Sequence, residues 1–358
     1  MMTVTMLMLL GGLFQARRSR LSTRTLAVSS RLKALAAFPL ILISIIALCV
    51  PSVRHVSSSD IRPYHPQSRV ITTGIWTVHF SLDQGLWDST RRMSNLIKEM
   101  ELDVVGLLET DLHRTVFGNR DLTQYLSESL GMYADIGPGP DKHTWGAVLL
   151  SKVRRETVLR SFKKRCRSLT VSLYLQFPII NSTHHLLPSP HGELAPAIHA
   201  VLDVYGIYTH VIVSHNGQEE DPLDRQLQTT KIAEIAREAY PHPFIFLGYV
   251  VTKPHAPRPN PYEILFTDGK LIDVDGNDMN RWCQYIGFRA LERVGYVRVS
   301  RYTVTDTELQ TAKFRIPKVE DLPVDPDRDV LPKRIRYVPQ EDWVYPSKFI
   351  DPPAMVYK

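Results

Sequence analysis

Two apolar runs in this chain of 358 residues each close on a polar side chain. Glu109 ends VVGLLE, and His215 ends VIVSH just before Asn216 and Gly217. Short apolar runs of this kind read as buried strands. Both polar groups therefore fall at a sheet's carboxyl edge, where ligand sites of α/β domains collect. A carboxylate and an imidazole together suit proton transfer and recognition of an anion. The plainer readings are a solvated turn acid and a strand-end histidine bonded to its own turn. A second group of charges lies further along. Asp273, Asp275 and Asp278 precede Arg281 within a few residues. They form either a cation-binding turn or a polar loop, and they lack the spaced glutamate of an EF-hand. Arg298, in GYVRVS, is expected on a strand, where an arginine pairs with an acid or clamps a phosphate. His143 is expected to line the same cleft, with the neighbouring Trp145 in the core. His184 and His185 read as loop residues, since a metal pair would need a third ligand.

The elements that position these groups alternate. Residues 70–80 are β-branched and aromatic, as in a strand. Residues 88–100 carry Met93, Leu96, Ile97 and Met100 at helical spacing. A strand at 103–108 follows, then a helix over 122–130 capped by Asp121 and ended by Gly131. Strands are expected at 144–150, 197–204 and 207–214. Asp221 and Pro222 open a helix running to about Tyr240, with the acid as N-cap and proline first. Residues 243–247 form another buried strand. This order predicts a layered α/β domain.

Residues 34–53 contain no charge, long enough for one membrane span. Six Lys/Arg and no acid occur in residues 1–33. Under the positive-inside rule, 1–33 is a cytosolic N-terminus and the body faces the lumen or exterior. A cleaved signal peptide and a mitochondrial transit peptide are the alternatives. Residues 54–68 read as a Ser/Pro-rich linker and 318–358 as a Pro-rich tail. Asn181, Ser182 and Thr183 form a glycosylation sequon that suits a lumenal body. The chain's net charge is +6, and residues 1–33 and 153–176 each carry +6, so the remainder carries −6. An acidic body argues against a nucleic-acid partner. Of the three cysteines, Cys49, Cys166 and Cys283, none has metal-type spacing, and Cys283 is expected as a buried apolar thiol.

The strings GNRDLTQYL (118–126), GPGPDKHTWGAVLLSK (137–152), FPIINSTHHLLPSPHGELAPAI (177–198), HNGQEEDPLDRQLQ (215–228), NRWCQYI (280–286), GYVRVS (295–300) and TDTELQTAKFRIP (305–317) resemble the calcofluor-white-hypersensitive family. That resemblance covers about residues 70–317. It implies lipid remodelling of GPI anchors, including ceramide exchange, at the endoplasmic reticulum, Golgi or plasma membrane. It also implies an endonuclease/exonuclease/phosphatase-like domain over 69–317: a layered sandwich of two mixed β-sheets flanked by helices, here preceded by one transmembrane helix. Fuller members carry several spans before this domain. In the family SK runs straight into FPI. Here residues 153–176 intervene, basic and bounded by Val and Gln, and read as a retained in-frame intron or as a surface insertion.

The resemblance also implies site roles. Glu109 would hold a divalent cation, usually Mg²⁺, that neutralises charge on a phosphate ester. His215 would act at the phosphate, with Asn216, His143 and Arg281 binding substrate. Asp306, in TDTELQ, would belong to a catalytic Asp–His pair, but the His beside it is missing. Asp278 and Arg298 join the catalytic set on their own charges and not from the resemblance, as groups that compensate for the missing ones. Two further departures stand out: Thr77 replaces an asparagine, and Gly248, Tyr249 and Val250 replace an element bearing a carboxylate. The expected partners are a GPI, phosphoinositol or ceramide lipid, the membrane, and a membrane-embedded remodelling partner. The alternatives are a divergent metal-dependent phosphodiesterase or nuclease, and a non-catalytic lipid- or partner-binding module.

Overall fold

The structure is a computed structural model that describes residues 38, 42–43, 63–111, 121–138, 145–152, 179–192, 195–217, 220–281, 283–300 and 303–318. The chain divides into two compact units, Met1–Ser59 and Asp60–Lys358. Only Phe38, Leu42 and Ile43 of the first are described, in helical backbone. The rest of the expected span at 34–53, His143, residues 153–176 and the tail beyond 318 lie outside the described residues. Among the described residues, no helix is long and apolar enough to cross a membrane.

The second unit is built from two six-stranded mixed sheets. The first sheet contains β1 (Val70–Thr77), β2 (Val104–Asp111), β3 (Tyr133–Ile136), β4 (Trp145–Ser151), β11 (Glu292–Ser300) and β12 (Glu308–Arg315). Its order is β11-β12-β1-β2-β4-β3. The second contains β5 (Ile179–Leu186), β6 (Pro196–Val204), β7 (Ile207–His215), β8 (Phe244–Tyr249), β9 (Ile272–Asp273) and β10 (Gln284–Arg289). Its order is β5-β6-β7-β8-β10-β9. Each sheet has a parallel pair at its centre, β1 with β2 and β7 with β8. A parallel pair needs a crossover, which a helix supplies. Those helices are α1 (Thr90–Glu99) between β1 and β2, and α3 (Pro222–Glu238) between β7 and β8. Helix α2 (Leu122–Leu130) follows β2.

Three apolar layers hold this arrangement. Ile71, Ile75, Val104 and Leu108 of the first sheet pack against Val211, Val213, Ile245 and Leu247 of the second. Met93, Leu96 and Ile97 of α1 cover the outer face of the first sheet. Ile232, Ile235 and Ala236 of α3 cover Ile212 and Phe246 of the second. The helix and strand periods read from the sequence match these faces.

The local signals held in part. The Asp121 side chain accepts the Gln124 amide, and Gly131 takes the left-handed conformation at φ 62° that ends α2. Asp221 sits before Pro222 as expected, but its side chain makes no cap bond. It lies instead 3.7 Å from His191 Nδ1. His184 and His185 are not in a loop but on the edge strand β5, where His184 Nε2 meets Asp135 Oδ1 at 2.8 Å. Residues 63–68, read as the end of a linker, are part of the body: the Tyr64 amide donates to Asp103.

Candidate active site

The topology brings the carboxyl ends of β1, β2, β7 and β8 to one end of the sandwich. Strands β10 and β12 run antiparallel to their neighbours, so their first residues, Gln284 opposite Tyr249 and Glu308 just ahead of Gln310, join that end. Glu109 reaches it through a β-bulge. The pairing of β2 with β4 shifts between Leu107 and Thr110, and Glu109 has φ 56°. A bulge re-aims one side chain out of the alternating pattern. Here it turns the carboxylate across the gap between the sheets.

His215 meets it from the second sheet. Its Nε2 is 3.4 Å from Glu109 Oε1, and its side chain is 2% exposed against 22% for Glu109. The ring stacks on Tyr249 with centroids 4.6 Å apart and planes 10° apart. Nδ1 lies 3.0 Å from the Asn216 carbonyl. A carbonyl only accepts, so Nδ1 carries the hydrogen and Nε2 faces Glu109. The contact with Glu109 then requires a proton on one of the two partners; without it a lone pair would face a carboxylate. Asn216 is buried, and its amide donates to Thr229 Oγ1 at 3.1 Å. It ties β7 to α3 and does not open toward the cleft.

Gln284 stitches the two sheets beside this pair. Its Oε1 accepts the Thr77 amide at 2.9 Å, and its Nε2 donates to the Glu308 carbonyl at 3.0 Å. Cys283, the preceding residue, is buried as expected. Burial pushes its thiol up to about 12, with Glu109, Glu308 and Asp306 adding to the shift.

Asp278 and Arg298 are brought together. Arg298 Nε is 3.0 Å from Asp278 Oδ2, and its Nη1 is 2.9 Å from Glu308 Oε2. The Tyr296 hydroxyl donates to Asp278 at 3.3 Å, and burial pushes that phenol well above its ordinary range. Arg281 takes a different place. It is fully buried and forked onto Asp273 at 2.7 Å through both Nη atoms. Its guanidinium also meets the Asp275 carbonyl and lies 3.7 Å from Asp278 Oδ2, so it ties the Asp273–Asp278 loop together from inside.

Asp306 gains the partner that its neighbouring residues lack. His79 Nδ1 is 3.8 Å from Asp306 Oδ2. That nitrogen is buried and has no hydrogen bond. His79, Phe80 and Ser81 all have left-handed backbone, at φ 43°, 54° and 67°. Three such residues cost on the order of 3–6 kcal/mol together. The hydroxyls of Thr305 and Thr307 both donate to the Thr77 carbonyl, at 3.4 and 2.5 Å, and hold the two segments side by side. His79 is not among the residues singled out above, although it stands two residues past Thr77 at the carboxyl end of β1, the same kind of position as that of His215.

A Mg²⁺ ion takes about six oxygen ligands. The described carboxylates do not fit that need. Glu109 faces His215, Asp306 faces His79, and Asp278 and Glu308 both face Arg298. Among the described residues, no three His, Cys, Asp or Glu side chains gather in a way that could hold a metal. The arrangement is instead two carboxylate–imidazole pairs and a guanidinium at one end of the sandwich.

Comparisons with known proteins agree on the architecture. An endonuclease/exonuclease/phosphatase from Bacteroides vulgatus matches at TM-score 0.51 and 14% identity, over 69% of this chain and 99% of that one. Another from Beutenbergia cavernae DSM 12333 matches at TM-score 0.50 and 15% identity, over 69% of this chain and 72% of that one. At such identities the likeness is one of fold. Protein cwh43 of Schizosaccharomyces pombe is 50% identical over 286 residues, 80% of this chain, and the match spans only 27% of that protein. The family model described as "PGAP2IP, C-terminal nuclease-like domain" matches residues 68–159 and 166–336, a match interrupted inside the 153–176 segment. Covering more than half of the chain, this match places it in the family of PGAP2IP C-terminal nuclease-like domains.

Proposed function

We propose that this domain recognises the phosphate of a GPI-type phosphoinositol lipid and takes part in remodelling its lipid, exchanging glycerolipid for ceramide. It does so on the lumenal side of the endoplasmic reticulum, Golgi or plasma membrane, beside a membrane-embedded partner. The observation that carries the reading is the contact of His215 with Glu109 across the two sheets. Nδ1 is committed to the Asn216 carbonyl, so Nε2 is the working nitrogen. A proton shared between Nε2 and Glu109 can pass to the glycerolipid oxygen as its bond to phosphorus breaks, and be replaced by the proton of the ceramide hydroxyl whose oxygen bonds to phosphorus in its place. Arg298, between Asp278 and Glu308, presents its remaining N–H groups to a phosphate oxygen. Buried Arg281 acts as a positioning residue that shapes the loop carrying Asp278. The likeness to Protein cwh43 and the acidic body, which disfavours a nucleic-acid backbone, support the same reading.

The test is the ratio of ceramide- to glycerolipid-containing GPI lipids in cells lacking this chain. Restoring the full chain should restore the ratio, and restoring His215→Ala should not. A ratio unchanged by the deletion sinks the proposal. Full rescue by His215→Ala removes the imidazole from it and leaves a lipid- or partner-binding module.

A further inference from the structure

Residues 82–88 form a compact turn whose construction serves its two most exposed side chains. A bridge between Leu82 and Asp88 closes it. The Asp83 amide donates to the Trp87 carbonyl at 3.0 Å, and the Leu86 amide to the Asp83 carbonyl at 2.9 Å. Asp83 Oδ1 accepts the amides of Gly85 and Trp87, each at 2.9 Å, and Oδ2 accepts Arg92 Nη2 at 2.7 Å. The Trp87 amide, first among these donors, holds the Asp83 carboxyl below its ordinary range. Leu86 is held at φ 61°. A Cβ on Gly85 would sit 3.0 Å from Trp87 Cδ1, so the glycine lets the indole lie close against the turn. Ser89 then fixes the loop to the turn ahead of β12: its hydroxyl donates to the Val304 carbonyl, two residues before Asp306.

This fixed turn leaves Leu86 67% and Trp87 75% exposed. One exposed leucine is ordinary. An adjacent Leu–Trp pair, locked outward by a buried carboxylate, is a displayed surface. Arg91, the second residue of α1, is exposed as well. A tryptophan beside a leucine with a cation close by is the combination that partitions into the boundary between lipid head groups and acyl chains.

We propose that Leu86 and Trp87 form an interfacial anchor that seats this end of the domain on a phospholipid bilayer, with Arg91 at the lipid phosphates. Two side chains are far too few for a stable protein interface, which needs about 800 Å² from each partner. A bilayer offers a continuous apolar boundary with no shape to match, so a small patch suffices. The inference rests on the lipid reading above for its purpose and stands on the loop for its geometry.

The experiment uses the full chain reconstituted in vesicles of phosphatidylcholine and phosphatidylserine with brominated acyl chains, which quench tryptophans at bilayer depth. Wild type is compared with Trp87→Tyr, so that the difference isolates Trp87 from the other four tryptophans. The difference emission should be quenched by bromine and shielded from aqueous iodide. Leu86→Ser should reduce that quenching as for a partition about tenfold weaker, and Arg91→Gln should reduce it most where phosphatidylserine is abundant. Equal quenching of wild type and Trp87→Tyr, or a Trp87 emission open to iodide, overturns the anchor. The readout needs no remodelling activity. Bromine quenching with an unchanged GPI-lipid ratio in deleted cells sinks only the function; a changed ratio without quenching sinks only the anchor.

Discussion

His215 Nε2 and Glu109 Oε1 stand 3.4 Å apart, one on each sheet of the sandwich. Neither sheet alone makes the pair, so the contact reports the packing of the two. Glu109→Gln keeps the shape and removes the ionisable carboxyl. We expect it to lower rescue of GPI-lipid remodelling by roughly 100-fold, the scale of a lost acid–base group. Its melting temperature should stay close to wild type, because Glu109 is partly solvated and its side-chain contact is long. His215→Ala should lose remodelling as well and should also cost about 1–2 kcal/mol, since it strips the Tyr249 ring of its stacked partner. Chemical denaturation beside lipid analysis separates the two variants.

His79 offers the opposite balance. Its left-handed backbone at φ 43° is unfavourable for any side chain with a Cβ. Glycine removes that penalty while freeing the unfolded chain slightly. His79→Gly should therefore raise stability by about 1 kcal/mol and still lower remodelling, because Asp306 loses its imidazole. A variant that melts lower, or one that remodels normally, contradicts the role given to the strained turn.

Proximity was legible in the sequence wherever one short run sufficed. Glu109 and His215 stand out because each closes a short apolar run, a local signal, although β2 continues past Glu109 to Asp111. The pairing of Arg298 with an acid followed from placing a charge on a strand. What escaped was non-local. Asp306 and His79 are joined by the parallel and antiparallel neighbours of β1, and nothing near residue 306 announces a partner 227 positions earlier. Arg281 looked like a ligand for substrate because its burial on Asp273 depends on how one loop folds inward. Strands β9 to β12 went largely unread for a related reason: buried polar residues such as Gln284 and Gln310 interrupt their apolar pattern, and their mutual bond appears only after the sheets have met.

Asp103 gives a pH dependence. Its carboxylate is buried and accepts the amides of Tyr64 at 2.9 Å and Thr72 at 3.0 Å. Burial pushes it from 3.8 to about 6, against those hydrogen bonds. Between these values the folded chain holds a proton that the unfolded chain has released. Stability from this group is therefore fullest below about pH 4 and falls as pH rises toward about 6, by at most about 3 kcal/mol. Asp103→Asn should flatten this part of the profile. Its amide has one oxygen for two backbone donors, so the variant should be less stable than wild type at acid pH. Urea midpoints of both chains across this range are the measurement; parallel profiles would refute the assignment.

Gly106 sets the distance on which the cleft depends. It lies three residues before Glu109, and a Cβ there would come 3.0 Å from both γ-carbons of Val213, two residues before His215. Neither backbone can yield without moving a sheet. Gly106→Ala should cost about 1–3 kcal/mol through overpacking and should part the sheets enough to lengthen a Glu109–His215 contact that is already long. Adding Val213→Ala removes the two opposing methyl groups. The double variant should then recover remodelling relative to Gly106→Ala alone, although Val213→Ala by itself destabilises the core. Recovery of function without full recovery of stability is what a spacing effect requires. Loss of remodelling that follows stability alone in all three variants would mean that Gly106 matters only to folding, and that the sheet separation does not tune the pair.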